Sequence, residues 1–220
     1  MCAREATSRE HAPPRCLFPE AKDVPNGMNY RRNLVTVPSC ELHNCEKSHD
    51  DEYLLFVLSG SYTSSDVGLT QFLTKVRRAF ERRPSTAANF VRRFTPVQLK
   101  RIGDAGWDQG AQVIVDGARL DSVLSNSARA LYYYHTGSKF QGPTEVFTNF
   151  TMYLDEKTQA AVSELFKNTR RHLADEPVFG ENSAVFSYMF KETESAVIFY
   201  YCFYESSTAI IRFKKILLAR

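Results

Sequence analysis

An α+β fold is predicted by three features of the sequence. Two segments, at 70–83 and 120–131, place apolar residues at helical spacing, runs rich in β-branched and aromatic residues cluster toward the C-terminus, and the first 50 residues carry Pro, Asn, Cys and His without a long periodic pattern. The expected architecture is a small metal-supported unit, then helices, then an antiparallel sheet packed with helices. The chain has 220 residues, with 43% apolar and 24% charged side chains. That composition excludes a disordered tail, a collagen and a disulfide-stapled miniprotein, and the length suits one domain or two small ones.

Taken in order, residues 51–58 read as the start of a helix with acids in its first turn. Over 70–83 the apolar Phe72, Leu73, Val76, Ala79 and Phe80 follow helical spacing and leave Lys75, Arg77, Arg78, Arg82 and Arg83 on the other faces, so a basic amphipathic helix is expected, ended by Pro84. Short helices and loops are expected over 85–118. Leu120, Val123, Leu124, Ser127, Ala128 and Leu131 then give a helical stripe that Gly137 stops. A strand at 144–154, a helix at 156–173 and strands at 184–191, 196–204 and 208–216 complete the chain. The run 196–204 is apolar on both faces, which suits a central strand of a covered sheet. These elements divide into a unit at 1–60, a basic helical connector at 61–110 and an α+β domain at 111–220.

The net charge of +3 names no partner, but its distribution is uneven. Residues 61–110 hold nine basic and four acidic side chains, whereas 1–60 hold seven and nine. No run of 18 apolar residues exists, and the first residues are polar where a secretory signal needs an apolar stretch, so a cytoplasmic protein without membrane contact is expected. Five cysteines are an odd number for a disulfide framework. In a reducing compartment metal binding is the better default for those at ligand spacing.

The informative region is Cys2, then Ser8-Arg9-Glu10-His11, then Asn33-Leu34, then Cys40-Glu41-Leu42-His43-Asn44 with Lys47 three residues on. It resembles the HNH (His-Asn-His) endonucleases, whose active site is a treble-clef, or ββα-metal, finger: an acid-His pair, Asn-Leu, and a Cys-x-x-His knuckle followed by Asn and Lys. Four elements agree in order and spacing over about the first 55 residues. The resemblance implies a phosphodiester hydrolase in which His11 is the general base, Glu10 and Asn44 hold a catalytic Mg²⁺ or Mn²⁺, and Asn33 bonds backbone across the finger loop to hold the His segment. Phosphodiester hydrolysis needs a base for water, a cation against the phosphoryl charge and rigid positioning of both. On an extended segment, adjacent Glu10 and His11 point to opposite faces and cannot both ligate one ion without a twist. Two departures stand out: Asn44 replaces the third His, and Glu10 stands where many relatives have Asp.

Cys40 and His43 have the spacing of half a structural Zn²⁺ site, and the resemblance assigns Cys2 to the other half. A second N-terminal Cys is missing. Either it lies upstream of Met1, or the site uses three protein ligands with water or a substitute such as Cys16, Cys45 or His49. Asn33 also reads as a turn residue capping local backbone, and Lys47 as either a phosphate contact or a solvated lysine.

Between 75 and 101 the chain carries nine basic groups and one acid. Lys75, Arg77, Arg78, Arg82, Arg83, Arg92 and Arg93 form the expected DNA-backbone surface. A charge run alone equally suits a solvated face or an acidic partner. Tyr132-Tyr133-Tyr134-His135 and the aromatic run at 199–204 read as packing rather than base stacking. The expected function is metal-dependent DNA cleavage, and HNH relatives with an extra domain often serve anti-phage defence, with a second defence protein as partner, or mobile elements. The competing expectations are a finger that binds nucleic acid or protein without catalysis, and an RNA-directed nuclease.

Overall fold

The structure is a computed structural model that describes residues 5–25, 27–62, 64–85, 94–100, 106–151 and 155–215, with the backbone alone for 41–48 and 100. It is a mixed α+β chain with antiparallel sheets throughout. Strand β1 (Ser8–His11) pairs antiparallel with β2 (Thr36–Ser39), in the register Ser8↔Ser39, Glu10↔Val37 and His11↔Thr36. The intervening loop is closed at its neck by the Ala12 amide donating to Val35 O at 3.0 Å. Cys40 then occupies the N-cap position of helix α1 (Glu41–Ser59). The helix begins ten residues before the expected start at residue 51. Its first turns are polar, whereas Tyr53, Leu54, Leu55, Phe56, Val57 and Leu58 are all buried, as in a helix enclosed on every side.

Helical structure resumes over α2 (Asp66–Gln71), a π turn (Phe72–Val76) and α3 (Arg77–Arg82), matching the expected basic helix with an earlier start. Thr70 and Thr74 return their hydroxyls to the carbonyls four residues back, at 2.8 and 2.6 Å, which loosens the helix beside the π turn. Gly68 allows a close approach: a Cβ there would lie 3.0 Å from the Tyr204 ring and 1.9 Å from Ser64 Oγ.

The short helices and loops expected over 85–118 are replaced, where described, by a β-ribbon. Strand β3 (Phe94–Lys100) pairs with β4 (Trp107–Val113) over seven residues each. Pro96, Gly110 and the glutamines conceal the strand pattern, and cross-strand pairing overrides their weak propensity.

Helix α4 (Gly117–Thr136) starts on the Asp116 side chain, which accepts the Arg119 amide at 3.2 Å, and stops at Gly137 with φ +69°. Strands β5 (Thr144–Thr148), β6 (Phe186–Glu192), β7 (Ala196–Phe203) and β8 (Ser207–Lys214) form one sheet in the order β5-β8-β7-β6, with α5 (Glu156–His172) between β5 and β6 in sequence. The expected strand at 144–154 is thus shorter, and β7 is interior as expected.

Val197, Phe199, Tyr201, Phe203, Ile211 and Phe213 are buried on one face of the sheet, in a core that also holds Leu54 of α1 and Leu124 and Leu131 of α4. Tyr200 and Ile210 pack on the other face against Val162 and Phe166 of α5. Each such side chain contributes about 1.5–3 kcal/mol on burial. The larger core also takes in Leu17, Phe18 and Val37, so the β1–β2 unit shares its interior with the C-terminal sheet. Among the described residues no helix is long and apolar enough to cross a membrane.

Candidate active site

The β1–β2 hairpin and α1 form a ββα unit around Glu10 and His11. Residues opposite each other in an antiparallel pair share a face, so Glu10 lies with Val37 and Ser39, and His11 lies with Thr36 and Pro38. Val37 is buried, which turns the Glu10 face inward. Ser39 Oγ donates to Glu10 Oε2 at 3.3 Å. On the His11 face, Arg9 Nε and Nη2 donate to Thr36 Oγ1 at 3.0 and 2.8 Å, drawing the Arg9 side chain across the hairpin. The acid and the imidazole therefore occupy opposite faces of one short strand.

His11 is half-buried. Partial burial, Arg15 and Arg31 hold its pKa below the usual value against the opposing influence of Glu10. The ring is consequently neutral at pH 7 and able to accept a proton. No spacing in the sequence marks Arg15 or Arg31. Arg15 acts on His11 from the 3-10 turn just beyond β1, and Arg31 from the far end of the loop between β1 and β2.

Cys40 precedes the first turn of α1 and is 8% exposed. His43 and Asn44 follow in the opening turns of the helix. Of His43, Asn44 and Lys47 the backbone alone is described, and Cys2, Arg92 and Arg93 lie outside the described residues. Among the described residues, no group of three His, Cys, Asp or Glu side chains is arranged to hold a metal ion.

Two of the expected substitute ligands are corrected by helix geometry. Cys16 Sγ donates to the carbonyl of Asp51 at 3.3 Å. At a rise of 1.5 Å per residue, that carbonyl lies about 16 Å along α1 from Cys40, and His49 about 13 Å along it. Neither residue belongs to a site built on Cys40, which leaves Cys45 as the substitute at the correct end of the helix.

The Asn33 side chain also differs from the expectation. Its Nδ2 donates to Glu181 Oε2 at 2.5 Å, rather than to backbone across the finger loop, and its φ of +49° is the left-handed value of a turn residue. Nearby, Asn182 Nδ2 donates to Arg32 O at 3.0 Å. The segment ahead of β2 is thus held by the loop before β6.

The basic surface is smaller than the charge run implies. Arg78 donates from both terminal nitrogens to Asp23 at 2.7 Å, and the Asp23 side chain is only 4% exposed. That bidentate contact holds the Asp23 carboxyl below its usual range. Lys75 Nζ donates to Cys16 O at 3.2 Å, and burial lowers its pKa. Lys75 and Arg78 therefore fasten the 15–23 segment to the helix and do not belong to an open phosphate-binding face. Arg77 and Arg83 remain exposed in surface pairs with Glu81 and Glu52, and Arg82 is exposed beside them.

Beneath this segment, Gln71 Nε2 donates to Cys16 O and Leu17 O at 3.0 and 2.8 Å, and the Tyr204 hydroxyl donates to Leu17 O at 2.7 Å. Both side chains are fully buried. The aromatic run at 199–204 is packing, as expected, with Phe199, Tyr201, Phe203 and Tyr204 at 1% exposure or less. A cavity of about 380 Å³ lies between α5 and the sheet, lined by Phe166, Tyr200, Gln159 and Asn149, and is separate from the His11 hairpin. No family model, curated protein or solved structure matches the chain.

Proposed function

We propose that the chain is a metal-dependent nuclease of the HNH type that hydrolyses DNA phosphodiester bonds. The observation that carries this reading is the antiparallel register His11↔Thr36 in a hairpin that runs through Cys40 into α1, with Asn44 one turn into the helix. One short ββα unit thereby carries a neutral imidazole, a carboxylate on the opposite face of the same strand and an amide at a helix start, and β1 must twist for the first two to reach one phosphate.

In this mechanism His11 accepts a proton from water as the water oxygen attacks phosphorus, and the phosphorus–oxygen bond to the leaving sugar oxygen breaks. Glu10 and Asn44 offer carboxylate and amide oxygens, a donor set that suits a hard cation such as Mg²⁺ or Mn²⁺. That ion, when bound, supplies neutralising charge at the phosphoryl and leaving oxygens. Ser39 fixes the Glu10 carboxylate by its 3.3 Å hydrogen bond. Arg15 and Arg31 favour the neutral ring electrostatically and would add positive charge beside His11 for a phosphate. Cys40 and His43 have the sulfur and nitrogen donors of a structural Zn²⁺ site, with Cys2 as the third ligand. Arg77, Arg82 and Arg83 would contact the DNA backbone.

Incubation of supercoiled plasmid with the protein tests the reading. Nicking that requires Mg²⁺ or Mn²⁺ and stops with EDTA is expected, and equal conversion with EDTA in excess would exclude the metal-dependent route.

A further inference from the structure

The β3–β4 ribbon lies outside the ββα unit. Its strands pair with each other along their full length and pack far less against any other described element. Phe94, at the base, packs on the main core. Beyond it, Pro96, Gln98, Trp107, Gln109 and Ala111 share one face by register, and all five are exposed. On the opposite face Leu99 closes over Gly110, where a Cβ would lie 2.6 Å from Leu99 Cδ1. One side of the ribbon packs on itself, and the other is open.

The open face combines groups that solvent exposure alone does not favour. Trp107 is 59% exposed, and it is the single tryptophan of the chain. Gln98 and Gln109 face each other directly across the two strands, and among the described residues neither side chain has a hydrogen-bond partner. In sequence β3 is flanked by four basic residues, Arg92, Arg93, Lys100 and Arg101, against Asp104 and Asp108 before and within β4.

We infer that the β3–β4 ribbon is an arm that enters the major groove of duplex DNA, with Gln98 and Gln109 reading base edges and Trp107 packing against the groove wall. A two-stranded ribbon fits a groove about 12 Å wide, and seven residues per strand give it a length of about 23 Å, enough to follow several base pairs. Gln side chains pair bidentately with adenine in that groove, and the sequence excess of four basic residues around β3 over Asp104 and Asp108 favours a polyanion. Pro96 removes a backbone donor from β3, a feature of strands that resist pairing with another chain, and this favours DNA over a second copy as occupant. The choice of DNA rests on the nuclease reading, whereas the readout below does not require cleavage.

The experiment uses the full chain in EDTA and duplexes of about 20 base pairs selected from a randomised pool. Labelled-duplex anisotropy reports binding while Trp107 emission reports the ribbon. Emission is expected to change in step with anisotropy, and combined Gln98→Ala and Gln109→Ala is expected to weaken binding of the selected duplex about tenfold or more while leaving the weak, salt-sensitive binding of unselected duplex intact. Anisotropy that rises while Trp107 emission stays constant overturns the proposal. So does an emission change driven by protein concentration without DNA, which assigns the face to a second copy, or tighter binding of single-stranded RNA with the larger emission change. A protein that fails to nick plasmid but keeps the coupled signals retains the ribbon role and loses the nuclease one. A protein that nicks with silent emission does the reverse.

Discussion

Asn33 Nδ2 donates to Glu181 Oε2 at 2.5 Å, joining residues 148 apart in sequence. Together with the Asn182 hydrogen bond to Arg32 O, it ties the approach to β2 to the C-terminal part of the chain. Both partners of the Asn33 hydrogen bond are exposed, so its removal costs about 1 kcal/mol. Glu181→Ala should lower the thermal midpoint by a few degrees. Denaturant melts of Asn33→Ala, Glu181→Ala and the double variant check the coupling. Additive single effects would show that the two side chains do not act as a pair.

Arg78 and its neighbours should separate stability from DNA affinity. Removing Arg78 leaves the nearly buried Asp23 carboxylate without its partner, so Arg78→Ala should destabilise by about 2 kcal/mol, reduced from the fully buried case because the guanidinium is partly solvated. Arg77→Ala, Arg82→Ala and Arg83→Ala should each stay within about 0.5 kcal/mol of wild type. Combined, those three should lower the salt dependence of duplex binding by about 0.9 for each phosphate left without its arginine. Urea melts and a salt titration of binding measure the two effects, and an unchanged slope would assign that face to solvent.

Acid stability should depend on Glu20. Its carboxyl is held down at about 2 by the Lys22 hydrogen bond first, with Lys75 and Arg31 adding their charge. A depressed folded pKa means that the contribution is complete above the ordinary Glu value and is lost as pH falls from there toward 2. Glu20→Gln should therefore be less stable than wild type at pH 6, and the gap should close between about pH 4.5 and 2. Chemical melts at several pH values follow this directly. A gap that stays constant down to pH 2 would remove Glu20 from the linkage.

Zinc should be held by Cys40 and His43, with Cys2 completing three protein ligands. Three ligands hold the ion less firmly than four, so zinc in the 220-residue chain should be stripped readily by a chelator. Metal analysis before and after chelation, with Cys40→Ala as control, measures it. Stoichiometric zinc that resists the chelator would show a fourth ligand, and Cys45→Ala would then identify or exclude the candidate at that end of α1.

The C-terminal half is legible in the sequence because its signals are local. The stripe from Leu120 to Leu131 and the stop at Gly137 define α4, and the doubly apolar run at 196–203 marks an interior strand. The start of helix α1 is hidden because its first turns are polar and its buried half begins only near Tyr53. The β3–β4 ribbon is hidden because Gln98, Gln109, Pro96 and Gly110 have loop chemistry, and only cross-strand pairing makes them strands. In the candidate site, the spacing singles out Glu10, His11 and Cys40, which one ββα unit carries. The burial of Lys75, the Arg78–Asp23 pair and the Asn33–Glu181 hydrogen bond depend on how the 12–35 loop folds back, and no periodicity encodes that.

His11→Ala tests the central claim most directly. A general base contributes about 10² to 10⁴ in rate and little to ground-state affinity. Plasmid nicking in Mg²⁺ should therefore fall by at least about 100-fold, while duplex binding in EDTA and the melting midpoint stay near wild type. Wild-type nicking by His11→Ala protein at equal folded fraction would contradict the account.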